Sequence, residues 1–226
     1  MSDALLVLSR YPRLGKVKTR LSKTLSHAAC LELHQAFLLD TLDRIATLKV
    51  VPHLFLSDCS DAEVREFSRF HSFPSTLCAH LQEGRDLGER MWNAYQKIYV
   101  PCDRVLFVGV DSPSLPLAWI EEALGRLDDF PVVAGPAEDG GYYLLGLSEP
   151  RRELFYNIMW GTSLVLEQTL SKLDVEEYCL LPPWYDVDKE SDLCRLKEDL
   201  NKNFEGFPRR TSTSLRNLSR ELHFSS

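Results

Sequence analysis

The segment from Val105 to Val110 reads Val-Leu-Phe-Val-Gly-Val and stops at Asp111. A run this short with almost no polar position has no face left for water, so it predicts a strand buried on both sides, as in a sheet covered by helices. The rest of the chain repeats the theme. Ala4 to Ser9, Val50 to Ser57, Thr76 to Leu81, Val132 to Gly135, Tyr142 to Leu147 and Tyr178 to Leu181 read as further strands. Helix-length amphipathic segments separate most of them: one from about Ser26 with Leu31, Leu38, Leu42 and Ile45 near one face, then Asp61 to Phe70, Leu87 to Tyr99, Pro116 to Leu127, Thr162 to Leu173 and Ser191 to about Asn203. Strands alternating with helices predict an α/β fold with a largely parallel sheet.

Composition narrows the function classes. With 26 Lys+Arg against 33 Asp+Glu, the net charge is −7, which argues against a protein built to grip nucleic-acid backbone. No apolar run approaches the roughly 20 residues of a membrane span, and Asp3 before a short apolar run gives no secretory signal, so the expected location is cytoplasmic. Six cysteines without a Cys-x-x-Cys pair read as reduced thiols, and six histidines without ligand spacing read as structural or surface residues. One domain over residues 1–203 with a tail over 204–226 is expected, the Arg-bearing tail being either a packed extension or a loose end.

In open α/β sheets ligands bind beyond the carboxyl ends of the strands, so the polar residues after each apolar run are the candidates. After the first run, Arg10, Arg13, Lys16, Lys18 and Arg20 crowd a loop bearing Gly15. An anion such as a triphosphate would relieve their repulsion; the alternative is a solvated basic loop. It is neither a P-loop nor a dinucleotide fingerprint. After the most apolar run, Asp111 is placed to hold a divalent metal at the sheet rim, or simply to cap the turn into Ser112-Pro113. Around Asp139, Gly140 and Gly141 the backbone could approach a ligand closely, although Asp-Gly between strands also makes an ordinary hairpin. Near the C-terminal end Asp186 and Asp188 alternate along an extended segment, one a potential metal ligand and the other an anchor.

Taken in order, "YPRLGKVKTRL", "GRDLGERM", "GVDSPSL", "GPAEDGGYYLLGL", Trp160 with Thr162 and Thr169, and "DVDKESDL" resemble the DUF2064 family, a set of glycosyltransferase-A-like proteins also called rSAM/selenodomain-associated transferases, within the nucleotide-diphospho-sugar transferase superfamily. The similarity spans about residues 4 to 200. Arg10 stands where the family leads one to expect Lys, and Lys189 where it often has Thr; both keep or add positive charge.

The resemblance implies a single-domain glycosyltransferase-A-like fold with nucleotide over the first half of the sheet and acceptor over the second. It implies Mg²⁺ or Mn²⁺ held by Asp111 and Asp188, with Arg10, Gly15, Lys16, Lys18 and Arg20 around the donor phosphates. Gln82 and Gly84, past the third strand, are expected at the base; Asp139, Gly140, Gly141 and Tyr142 are expected on the acceptor side. The implied activity is transfer from a nucleotide-activated donor to a small-molecule acceptor. Glycosyl transfer from a nucleotide sugar is the first expectation, nucleotidyl transfer from a triphosphate to a phosphorylated acceptor the second, and non-catalytic nucleotide binding the third.

Overall fold

The computed structural model of the chain describes residues 2–71, 77–99, 102–201 and 208–221. Seven strands among these residues form one sheet: β1 (Ser2–Arg10), β2 (Val51–Ser57), β3 (Cys78–Leu81), β4 (Cys102–Val108), β5 (Val132–Pro136), β6 (Tyr142–Leu147) and β7 (Tyr178–Leu180). Their spatial order is β3-β2-β1-β4-β6-β5-β7, with β6 antiparallel to both neighbours and every other pairing parallel. The carboxyl ends of the parallel strands therefore share one edge with the amino end of β6. That edge carries the site.

Among the described residues seven α-helices accompany the sheet: α1 (His27–Ile45), α2 (Asp61–Phe70), α3 (Leu87–Tyr99), α4 (Leu117–Arg126), α5 (Val165–Leu170), α6 (Glu190–Asn201) and α7 (Arg209–Glu221). Alternation along each strand divides the core. Leu5 and Val7 of β1 pack with Leu38, Leu42 and Ile45 of α1, Phe67 of α2 and Ile120 of α4, whereas Ala4 and Leu6 face Met91, Tyr95 and Ile98 of α3. A third cluster lies on the opposite side of α1, where Leu33 and Phe37 meet Leu193 and Leu196 of α6 and Leu215 and Leu218 of α7. The tail residues 208–221 are thus a packed helix.

Local chemistry sets the helix starts. Ser26 Oγ accepts from Ala29 N at 3.1 Å, Ser60 and Glu63 form a reciprocal capping box, and Asp86 Oδ1 accepts from Glu89 N at 2.8 Å. Three details differ from the sequence reading. Leu31 is only partly buried, the inner face of α1 being carried by Leu33, Phe37 and Leu38 instead. The strand expected through Val110 ends at Val108, since the following backbone turns to Val187, whose N donates to Asp111 O at 2.8 Å. The helix expected from Thr162 to Leu173 is confined to α5, because Gly161 takes φ +79° and Thr162 Oγ1 accepts from Leu164 N at 3.3 Å, offering that backbone a turn. Thr76 and Asn203, at the ends of two expected elements, lie outside the described residues.

Candidate functional site

A cleft of about 570 Å³ opens at the carboxyl edge of the sheet. Its centre is built by three segments that meet there: the loop after β1, the turn after β4, and the crossing segment before α6. Lys18 is the join. Its backbone takes the left-handed conformation, φ +48°, which turns a side chain only 2% exposed inward beneath the loop. The ammonium donates to Asp111 Oδ1 and, at 2.8 Å, to Val187 O, and lies 3.8 Å from Asp188 Oδ1. Arg20 Nη1 donates to the other oxygen, Asp188 Oδ2, at 2.7 Å. Asp192 Oδ2 accepts from Asp188 N and Lys189 N at 2.9 and 2.8 Å, fixing the backbone that presents Asp188 at the start of α6.

The acids differ in state because their partners differ. Burial pushes the Asp111 carboxyl up, but the Lys18 ammonium outweighs it and holds the group below the ordinary carboxylate range, helped by His34 and Arg10. Asp186, also in the cleft, makes no ion pair among the described residues; burial raises it to about 6 against the Ser112 hydroxyl, which donates to Oδ1 at 2.5 Å, while Asp111 and Asp139 push it further the same way and the nearby Lys18 only partly opposes them. His34, buried on α1, places Nε2 3.0 Å from Arg10 O and 3.3 Å from Ser9 Oγ, and burial lowers its pKa.

Of the residues expected from sequence, Arg10, Lys18, Arg20, Gln82, Asp111, Asp139, Gly141, Tyr142 and Asp188 line this cleft. Gly15, Lys16, Gly84 and Gly140 do not. Gly15 sits at φ +72° and shapes the loop, Lys16 O accepts from Arg10 Nη1 at 3.2 Å while its side chain is exposed, and Gly84 at φ +144° packs on the first turn of α3. Gly140, at φ +91°, is required by packing: a Cβ there would lie 2.2 Å from Ser163 O. Gln82 spends Nε2 on Ser9 O and Phe55 O, at 3.1 and 2.8 Å, so it ties the ends of β1 and β2 as well as facing the cleft. Arg13 is drawn away to Glu63 of α2 at 2.5 Å.

The site also includes residues that the sequence reading left unassigned. Arg90 lines the cleft with Nε donating to Gly84 O at 3.2 Å and with no acid partner among the described residues. Its place in "GRDLGERM", three residues after Leu87 on a helix that starts at the cleft, was the available signal. His34 could have been found as a polar residue within the buried Leu33–Leu38 stripe. Trp160 lines the cleft beside Tyr142, the rings edge to face at 6.4 Å, and its indole packs on Gly88, where a Cβ would meet Trp160 Nε1 at 2.7 Å and Phe155 O at 2.0 Å. Among the described residues no group of three His, Cys, Asp or Glu could hold a metal unaided, Cys30, Cys59, Cys78, Cys179 and Cys194 are free, and no helix is long and apolar enough to cross a membrane.

This sheet order, its single reversed inner strand and the cleft at the carboxyl edge define a nucleotide-diphospho-sugar transferase fold, the glycosyltransferase-A-like class. The chain belongs to the DUF2064 family, described as an uncharacterized protein conserved in bacteria, whose profile matches residues 41–162. It is similar over 98% of its length to a Desulfovibrio desulfuricans G20 protein named for the nucleotide-diphospho-sugar transferases, with 32% identity, 96% of that chain covered and a TM-score of 0.88. Fold-level likeness extends to the 4-diphosphocytidyl-2C-methyl-D-erythritol synthase of Anaerococcus prevotii, with 8% identity, TM-score 0.59, and 88% and 96% of the two chains covered. It extends also to the manganese complex of Rv0371C from Mycobacterium tuberculosis H37Rv, with 15% identity, TM-score 0.53, and 88% and 99% covered. No curated protein matches the sequence significantly.

Proposed function

We propose that this chain is a metal-assisted transferase acting on a nucleotide-activated donor, and that the transferred group is a sugar. One observation carries the reading: Lys18 is held inward between Asp111 and Asp188 at the centre of a cleft that Arg10, Arg20 and Arg90 also line. Cations and acids interleaved at a strand-end rim suit a phosphate chain shared with a divalent ion. The likeness to a protein named for nucleotide-diphospho-sugar transferases supports it.

The donor set fits Mg²⁺ or Mn²⁺. Lys18 donates to Asp111 Oδ1 and Arg20 to Asp188 Oδ2, so Asp111 Oδ2, and Asp188 Oδ1, which lies 3.8 Å from the Lys18 ammonium and beyond hydrogen-bond reach of it, would be the oxygens to hold a cation whose remaining ligands are donor phosphates and water. When bound, the metal would neutralise charge on the departing diphosphate. The chain's own residues do the rest. Arg10 and Arg20, exposed at the cleft, hold the phosphates and stabilise charge that builds on the bridging oxygen, an effect worth about 10²- to 10³-fold in rate per well-placed group, while the buried Lys18 ammonium adds its positive field from beneath and fixes Asp111. Asp139, on the turn between β5 and β6, receives the proton of the attacking hydroxyl. The acceptor oxygen bonds to the anomeric carbon, the bond from that carbon to the diphosphate oxygen breaks, and the electron pair leaves on the nucleoside diphosphate.

Nucleotidyl transfer is the second reading, favoured by the density of cations on the loop after β1 and by the likeness to a diphosphocytidyl synthase. The released product separates the two. Incubation with pooled nucleotide sugars, pooled triphosphates, Mg²⁺ and a small-molecule extract should yield nucleoside diphosphate; pyrophosphate alone would replace the first reading by the second, and nucleotide binding without either product would leave a binding protein.

A further inference from the structure

The cleft is divided by charge. Its cationic residues, Arg10, Lys18, Arg20 and Arg90, all sit toward the ends of β1 and β3: Arg10 ends β1, Lys18 and Arg20 belong to the loop after it, and Arg90 leans on Gly84 of the loop after β3. Across Asp111, the wall is made by Asp139 and Tyr142 at the β5–β6 turn and by Trp160 before α5, with Met91 of α3 behind them. Tyr142 and Trp160 stand edge to face, and the Tyr142 hydroxyl meets Met91 Sδ at 3.6 Å. Neither the 139–143 nor the 160–165 stretch brings a Lys or Arg to the cleft, and Arg90, which precedes Met91 on α3, directs its Nε to Gly84 O. Asp139 Oδ1 accepts from Gly141 N at 2.9 Å, and no described cation pairs with the carboxylate; the neighbouring Glu138 takes Arg195 at 2.8 Å.

We infer that the acceptor is uncharged or cationic, lays a flat or apolar face on Trp160 and Tyr142, and is not a phosphate ester. This rests on the transfer reading above and goes further than it, because it names the acceptor's chemistry. A phosphate brought to this wall would face the Asp139 carboxylate with no fork of donors to replace its hydration, a like-charge approach that costs affinity. A neutral ring loses little water and gains the indole face; an amine gains Asp139 as well.

The test has two separately read arms on the full chain. Calorimetric titration with UDP, GDP, CDP and ADP in the presence of Mg²⁺ establishes whether a nucleotide binds; if none does, the transfer reading fails and the inference falls with it. With the cleft saturated by the nucleotide that binds, ligand-observed NMR compares phenyl glucoside, glucosamine and glucose 6-phosphate at constant ionic strength. Phenyl glucoside and glucosamine are expected to bind, glucose 6-phosphate at least about tenfold more weakly. Trp160→Ala should lose phenyl glucoside. Since that change also removes packing on Gly88, a second variant, Asp139→Lys at the exposed turn, should raise glucose 6-phosphate binding about tenfold and depress glucosamine. Glucose 6-phosphate binding as tightly as phenyl glucoside in the unmodified chain, none of the three compounds binding, or Asp139→Lys leaving the order unchanged would overturn the inference.

Discussion

Lys18 concentrates the problem that this site has to solve. Its left-handed backbone is strained for a residue with a Cβ, and its ammonium is shut in by the loop that carries it. What compensates is the pair of carboxylates and the Val187 carbonyl around Nζ. Lys18→Met, which keeps the stem and removes the charge, should lower stability by about 1 to 3 kcal/mol in urea titration, because Asp111 would lose the cation bonded to it and face Asp188, which keeps only Arg20. Asp186 gives a pH signature of opposite sense to a paired carboxylate. Its folded pKa, about 6, lies above the ordinary value, so the folded state holds the proton more tightly: the associated stability is fully present below the unfolded pKa and is lost as pH rises through about 6. Between about pH 4 and 6.5 the loss should be on the order of 2 to 3 kcal/mol, and Asp186→Asn should flatten that slope in denaturation curves taken across the range. A slope unchanged by the substitution would mean that Asp186 titrates as an ordinary exposed acid.

At the scale of elements, two contacts join the cleft to its supports. The first turn of α3 approaches the loop bearing Trp160 so closely that only glycine fits at position 88. Gly88→Ala should destabilise by about 2 kcal/mol or more despite alanine's better helix propensity, and near-ultraviolet circular dichroism should register the displaced indole. The second contact is Asp40, 3% exposed on α1, which accepts from Arg210 N at 3.1 Å and Thr211 N at 2.7 Å and so caps α7. Asp40→Ala should cost about 2 kcal/mol and speed hydrogen exchange across the first turns of α7, with β1 and β4 unaffected.

These same elements show what the sequence could disclose. Buried strands such as β1 and β4, and helices opened by Ser26, Ser60 or Asp86, announce themselves through local pattern, since apolar periodicity and capping are properties of a few adjacent residues. Asp111 and Lys18 were legible because each follows a buried strand into the carboxyl edge. The roles of Gly84, Gly88 and Gly140 were not, because a glycine required by a neighbour's backbone looks in sequence like one required by a ligand. Arg90 and Trp160 are brought to the cleft by tertiary packing of α3 on the sheet and on residues 155–160; the place of Arg90 in the first turn of a helix was the one local hint, and for Trp160 the sequence held no spacing that tells a cleft residue from a core one.

For the whole molecule, the topology explains why chemistry-bearing residues as far apart as Lys18, Asp111 and Asp188 meet: parallel strands deliver their loops to one edge, and the segment from β7 to α6 returns across that edge. The tail belongs to this arrangement, since α7 and α6 share the Leu33–Phe37 face of α1, whose other flank carries His34 beneath the basic loop. The central claim is that the cleft holds the phosphates of a nucleotide above the cluster of Lys18, Asp111 and Asp188, whose buried ammonium adds its field, with the help of a divalent ion. Calorimetric titration of the full chain with nucleoside diphosphates, in Mg²⁺ and in EDTA, for the natural sequence and for Lys18→Met tests it most directly. The account predicts saturable binding that Mg²⁺ strengthens and that Lys18→Met weakens about thirtyfold or more, roughly 2 kcal/mol, while the bare nucleoside is little affected. Equal affinity with and without Mg²⁺, or a Lys18→Met chain that is folded and binds the diphosphate as well as the natural one, would contradict it.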